Sequence, residues 1–239
     1  ALCLEDTINA DHVEEAEQIL ISSLSQIFIQ HKQKPFYLPK IFIRVRNPQQ
    51  IQRLTKALGQ SIKIVTGFIV PKFSPDNAQS YIEQMILVNE LVAKKLYMMP
   101  IYESPSIIDL RNRIDILYLL RDSLARIEDL ILNIRVGGND LCHMFGFRRH
   151  ANESIHSIRP VSDIFSDIIT VYGMDYVISG PVWEYYAGDS WKEGMIQEIR
   201  EDRLCGFIGK TVIHPSQIPV VNRAYQVSRN DYLDAQAIL

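Results

Sequence analysis

No apolar run in this sequence approaches the ~20 residues that a membrane-crossing helix needs. Cysteine is scarce: Cys3, Cys142 and Cys205 are odd in number and far apart, which excludes a disulfide framework and reads as the reduced thiols of a cytoplasmic protein. With no CxxC pair, zinc and dithiol redox chemistry have no foundation. Excess charge is missing too. A net charge of −3 lacks the basic footprint of a nucleic-acid binder and offers nothing to an anionic membrane surface. No GxGxxG follows a strand-like run, so the main sign of a dinucleotide site is absent. Low-complexity tracts, long linkers and internal repeats are likewise not found.

What remains is an ordinary globular composition, 47% apolar over 239 residues, enough for one large domain spanning the whole chain. Short apolar runs alternate with longer stretches of helical periodicity. Strands are expected at Leu2 to Leu4, Ile41 to Val45, Ile62 to Val70, Leu96 to Ile101, Leu130 to Val136, Tyr176 to Ile178 and Phe207 to Ile213. Helices are expected between them: Asp11 to Gln30, Pro48 to Leu58, Tyr81 to Ala93, Ile107 to Leu120, Asp122 to Ile127, Val161 to Tyr172, Ser190 to Arg203 and Ser216 to Tyr225. This alternation implies parallel strands joined by helical crossovers. Seven strands and an opening inside a strand suggest an α/β fold of the TIM (β/α)8-barrel type. Its first strand, with ~30 or more residues of strand–helix unit, would lie upstream of Ala1. A doubly wound open sheet is the rival architecture.

The polar residues fall where such folds place active sites, at the carboxyl ends of strands. Glu5-Asp6, Arg44 and Arg46, Lys72, Glu103, Asp140 and His214 each stand within a few residues of a strand end. Any one could cap a helix or form an ion pair; together they suggest a site. Glu103 and Asp140 offer hard oxygen ligands suited to Mg²⁺, which takes one or two carboxylates and keeps its other positions for water and substrate. Arg44 supplies a planar fork that matches a carboxylate or phosphate. Gly137-Gly138 reads either as a close approach to a ligand or as a tight turn. Glu5 and Asp6 would orient metal-bound waters.

Six blocks of this sequence, in order, resemble a known family. Leu2-Cys3-Leu4-Glu5-Asp6 resembles its "LDLED" signature, Ile43-Arg44-Val45 its "VRVN" strand and Ile69-Val70-Pro71-Lys72 its "VLPK". Glu103-Ser104-Pro105 is similar to "ETP", Gly138-Asn139-Asp140-Leu141 to "GxxDL", and Gly209-Lys210-Thr211-Val212-Ile213-His214-Pro215-Ser216-Gln217 to "GKxxIHPxQ". The family is that of the citrate lyase β-subunit-like proteins, within the HpcH/HpaI aldolase superfamily. Arg46-Asn47-Pro48, Gly137 to Leu141 and Phe145-Gly146-Phe147-Arg148-Arg149 look more like a branch of C–C bond lyases encoded beside tellurium-resistance and stress-response genes. Cys3 stands where the family has an acid, and Ser179-Gly180-Pro181 where it has "DG", which puts the acyl-thioester part of the substrate in doubt.

The resemblance implies a TIM barrel with Mg²⁺ held at Glu103 and Asp140, and Arg44 on the substrate carboxylate. The chemistry it implies is making or breaking a carbon–carbon bond in a small oxo- or hydroxy-acid, or its acyl-coenzyme A thioester. Glu5 and Asp6 would assist around the metal, and Lys72 would either stabilise a developing enolate or pair with Glu5. Gly137, Gly138 and Arg148 complete the expected substrate contacts. No general base stands out; His214 is either that base or a structural hydrogen-bonder. The expected partners are a small carboxylic acid and further copies of the chain in a homo-oligomer, with neither nucleic acid nor membrane. The alternative is a non-catalytic subunit that binds a metal-chelated acid within a stress-response assembly.

Overall fold

A computed structural model describes residues 1–238. The chain divides into two compact units, residues 1–135 with 174–176, and residues 136–173 with 177 onward.

Unit 1 alternates strand and helix: β1 (Leu2–Cys3), α1 (Val13–Gln33), β2 (Ile41–Arg44), α2 (Pro48–Leu58), β3 (Val65–Val70), α3 (Pro75–Leu91), β4 (Tyr97–Tyr102), α4 (Arg113–Ala125) and the first two residues of β5 (Ile134–Val136). Strands β1 to β4 are parallel neighbours in chain order, with Leu2 opposite Ile43, Arg44 opposite Ile69 and Val70 opposite Pro100. Parallel neighbours cannot be joined by a tight turn, so each pair is linked by a helical crossover.

Local chemistry sets the boundaries. Helix α2 begins where Asn47 accepts the Gln50 N–H and Pro48 occupies the first turn, and it buries Ile51, Leu54 and Leu58 at helical spacing. Helix α3 starts six residues before the apolar periodicity does, because Ser74 and Asn77 form a capping box. Strand β3 starts at Val65 rather than Ile62, since Gly59–Ile64 forms a 3₁₀ turn. The two helices expected between Ile107 and Ile127 are one 3₁₀ turn, Pro105–Ile107, and one continuous helix, α4, which buries Leu117, Leu120 and Leu124 on a single face.

Alternation along the strands separates floor from rim. Phe42, Ile69, Met99 and Ile101 pack together on one face of the unit 1 sheet. Two residues beyond Phe42 on the same face is Arg44; two beyond Ile101 is Glu103. An apolar floor therefore runs up to a polar rim.

Unit 2 holds the end of β5, then α5 (Gly138–Met144), α6 (Arg159–Tyr172), β6 (Ile178–Ser179), α7 (Trp191–Cys205), α8 (Ile218–Ala224) and α9 (Arg229–Ile238). Its core is built on Trp183, Trp191, Met195 and Ile199, packed by Tyr185, Val220 and Tyr225 among others. The strand expected at Phe207 to Ile213 does not form. The segment makes one parallel bridge, Lys210 to Gly180, with Ile208 N–H on the Ile178 carbonyl at 2.8 Å and Gly180 N–H on the Gly209 carbonyl at 2.9 Å. Gly206 and Gly209, at φ 106° and 110°, hold left-handed conformations that interrupt an extended run. Helices α5 and α9 have no counterpart among the helices expected from the sequence.

Candidate functional site

Five of the residues singled out in the sequence meet in unit 1. Arg44, at the end of β2, forms ion pairs through Nη2 with Glu5 and, at 2.7 Å, with Asp6; Glu103 Oε1 lies 3.8 Å from the same nitrogen. Lys72 Nζ reaches Glu5 Oε1 at 2.6 Å and Asp6 Oδ1 at 3.1 Å. Three carboxylates and two cations thus interlock, with Glu5 and Glu103 buried and Asp6 open to solvent. The Lys72 ammonium thus pairs with Glu5, and with Asp6 as well.

Lys72 is also held in a left-handed conformation, φ 50°, which a residue with a Cβ seldom adopts. That turn aims its backbone N–H at Glu103 Oε1, 3.1 Å away, while its carbonyl accepts from Asn77 at 2.9 Å. The electrostatics follow from the interlock. Burial works against the charged form of Lys72, but the bonds to Glu5 and Asp6 outweigh it and raise the pKa. Burial of Arg44 is likewise outweighed by Glu5, Glu103 and Asp6, and its pKa is raised. Partial burial of Asp6 is overcome by hydrogen bonding to Glu5 and Lys72 and by the charge of Arg44, so its carboxyl is held below the usual range.

Arg46 belongs to the scaffold. Its guanidinium donates to the carbonyls of Leu4, Glu5 and Ile8, tying down the segment after β1. Arg135 was not singled out, and it sits in the same environment. Burial first, then the like charge of Arg44, lower its pKa to about 10 against the pull of Glu103. The signal was present: a charged residue between Ile134 and Val136 in a strand faces away from the apolar side.

In unit 2, Asp140 stands in the first turn of α5. A Cβ on Gly138 would meet Ile155 Cδ1 at 2.5 Å and Pro181 Cβ at 2.8 Å, so protein packing fills the space where a side chain would stand. Gly137 is the residue that precedes α5. His214 takes its structural alternative: Nδ1 bonds Ser216 Oγ at 2.8 Å and accepts the Ser216 N–H, and the ring stacks on Tyr186 at 4.5 Å. Arg148 is exposed, whereas Arg149 is buried in an ion pair with Glu198. Lys210 bridges Glu198 at 2.8 Å and Asp202 at 2.7 Å, and His156 closes the chain on Asp202 at 2.8 Å. Glu198 and Asp202, one turn apart on α7, are the acids whose buried role the periodicity missed.

The donor set suits a hard cation. Carboxylate oxygens are what Mg²⁺ prefers, and it needs only one or two of them. The Lys72 N–H holds the Glu103 carboxylate in place. Among the described residues no three His, Cys, Asp or Glu side chains form a ready-made cage, and no helix is long and apolar enough to cross a membrane.

Parallel strands with helical crossovers, and a charged cluster where those strands end, define an α/β protein of the TIM-barrel class. The chain belongs to the C–C bond lyase family of the TIM-barrel fold, whose family model matches residues 1–239. No curated protein sequence matches it. Among solved structures, RipC from Yersinia pestis is similar at a TM-score of 0.65 with 15% identity, over 96% of this chain and 89% of that one. CitE from Mycobacterium tuberculosis in complex with magnesium and pyruvate is similar at 0.58 with 19% identity, over 98% and 85%. The same protein with magnesium, acetoacetate and coenzyme A gives 0.61, again with 19% identity, over 99% and 76%. At these identities the likeness is one of fold.

Proposed function

We propose that this protein is a Mg²⁺-dependent lyase that makes or breaks a carbon–carbon bond beside the carboxylate of a small oxo- or hydroxy-acid. The observation that carries the reading is at Arg44. Its Nε–H is buried and has no hydrogen-bond partner, although the same guanidinium is anchored by Glu5 and Asp6. A buried donor without an acceptor is rare in a folded protein and is satisfied when a ligand oxygen arrives. A guanidinium fixed through Nη2 with an unspent Nε–H is pre-organised to grip a carboxylate.

Glu103 and, by its match to the family motif, Asp140 are the proposed ligands of the metal. When bound, Mg²⁺ polarises the substrate oxygens that gain or lose charge. Glu5 and Asp6 keep Arg44 in place and accept hydrogen bonds from bound water. Lys72, protonated throughout the neutral range, presents positive charge where an enolate oxygen develops. Gly137, Gly138 and Arg148 are proposed substrate contacts. The complex of the Mycobacterium tuberculosis protein with coenzyme A supports including an acyl thioester among the candidates.

Turnover of a panel of oxo- and hydroxy-acids and their coenzyme A esters, with and without Mg²⁺, tests the reading. Metal-dependent cleavage of at least one member is expected, and Arg44→Lys should lower kcat/KM on the order of 10- to 100-fold because an ammonium cannot reproduce the fork. Saturable acid binding without turnover of any member would leave the chain a metal- and acid-binding subunit instead.

A further inference from the structure

Beside Asp140, unit 2 contains a cleft of about 440 Å³ lined by Asn139, Asp140, Cys142 and His143 of α5, Phe147, Arg148 and Arg149 after it, and Glu184. The volume lies in the lower part of the range for small-molecule sites and suits a small acid better than a large cofactor.

Its walls are rich in hydrogen-bonding groups that the protein leaves unused. The side chains of His143, Arg148 and Glu184 make no hydrogen bond or ion pair with other described residues. Arg149 contributes a more telling feature. Its guanidinium is clamped by Glu198 and the Val182 carbonyl and lies 5.0 Å from the Trp183 ring centroid, yet its Nε–H is buried with no partner. The fixed Arg149 donor, the exposed Arg148 charge and the Asn139 amide together ask for anionic oxygens. Glu184 asks for a donor close by.

We propose that this cleft recognises an anionic group of the substrate, a carboxylate or a phosphate, flanked by a hydroxyl that donates to Glu184. Arg149 Nε–H supplies the pre-organised contact, Arg148 closes over the anion, and His143 and Asn139 donate from α5. The contact is non-covalent. The inference rests on the reading of Asp140 and Arg148 as part of the lyase site, and it narrows the substrate to a hydroxylated acid whose anion binds here.

Amide NMR and calorimetry on the full chain without added Mg²⁺ test it, with inorganic phosphate and malate as probes and glycerol as the neutral control. At least one anion should bind saturably and shift the amides of Asn139, His143 and Arg148, while glycerol should not. Malate alone would assign a carboxylate, phosphate alone a phosphate ester. Arg148→Ala, an exposed change that leaves the fold intact, should weaken binding about tenfold or more. Glu184→Gln should strengthen phosphate binding about two- to fivefold by removing a like charge. Absence of saturable binding by both anions, or equal affinity in Arg148→Ala, would overturn the proposal. Because neither metal nor turnover enters the measurement, failure of lyase activity would remove the functional reading above while leaving this result to stand or fall separately.

Discussion

The backbone N–H of Lys72 donates to Glu103 Oε1 at 3.1 Å, and it can do so only because Lys72 adopts a left-handed turn at the end of β3. Backbone and side chain of one residue therefore serve different carboxylates: the amide holds Glu103, the ammonium holds Glu5 and Asp6. Lys72→Gly separates them. Glycine adopts φ 50° without strain, so the Glu103 contact and Mg²⁺ affinity should persist. Turnover should fall at least about tenfold if the ammonium stabilises an enolate. Calorimetry beside steady-state kinetics reads both, and a parallel loss of metal affinity would show that the ammonium, not the amide, organises the rim.

Removing a charged oxygen from a site with few protein ligands should abolish metal binding. Glu103→Gln and Asp140→Asn are each expected to lower Mg²⁺ affinity by at least about a hundredfold. Titration calorimetry on the two variants tests each assignment by itself, and unchanged affinity in either would release that residue from the role.

The rim also sets a pH window for stability. Asp6 is held below its ordinary pKa, so its contribution is complete above the unfolded value near ~3.9 and is lost as pH falls through the lower, folded value. Lys72 is raised, so its contribution is complete below the unfolded value near ~10.4 and is lost as pH rises through the higher, folded one. The joint contribution of these two groups to the melting temperature should be constant between these limits and decline outside them. Asp6→Asn should flatten the acid limb specifically, which a thermal-shift series across pH would show.

In unit 2, Lys210 is the cation that lets Glu198 and Asp202 share a buried space. Lys210→Met leaves Arg149 and His156 to compensate two acids that are fully buried. A loss of about 3–5 kcal/mol is expected, as for one member removed from a buried ion network. Urea denaturation measures it; a change below about 1 kcal/mol would place the pair under adequate compensation from Arg149 and His156 alone.

Residues whose placement follows from position were legible in the sequence. Glu5, Asp6, Arg44, Lys72 and Glu103 each stand just past an apolar strand, and parallel strands bring such ends together. Helix α2 was legible to the residue because Asn47-Pro48 caps it. Roles that depend on distant backbone atoms were not. Arg44 and Arg46 read alike, yet Arg46 is spent on carbonyls of the segment after β1, about 40 positions away in the chain. Arg148 and Arg149 also read alike, and only packing against Trp183 and Glu198 buries the second. Helix α5 was hidden because Gly137-Gly138 reads as a turn, whereas Gly138 is small to admit Ile155 and Pro181.

The chain has two tryptophans, and both, Trp183 and Trp191, lie in the core of unit 2. Intrinsic tryptophan fluorescence is therefore a reporter of one half of the molecule. Trp183 lies against the guanidinium of Arg149, 5.0 Å from its ring centroid, so a ligand that draws on that arginine changes the indole's electrostatic surroundings directly. An emission shift on adding an anion would thus come from unit 2 without any label.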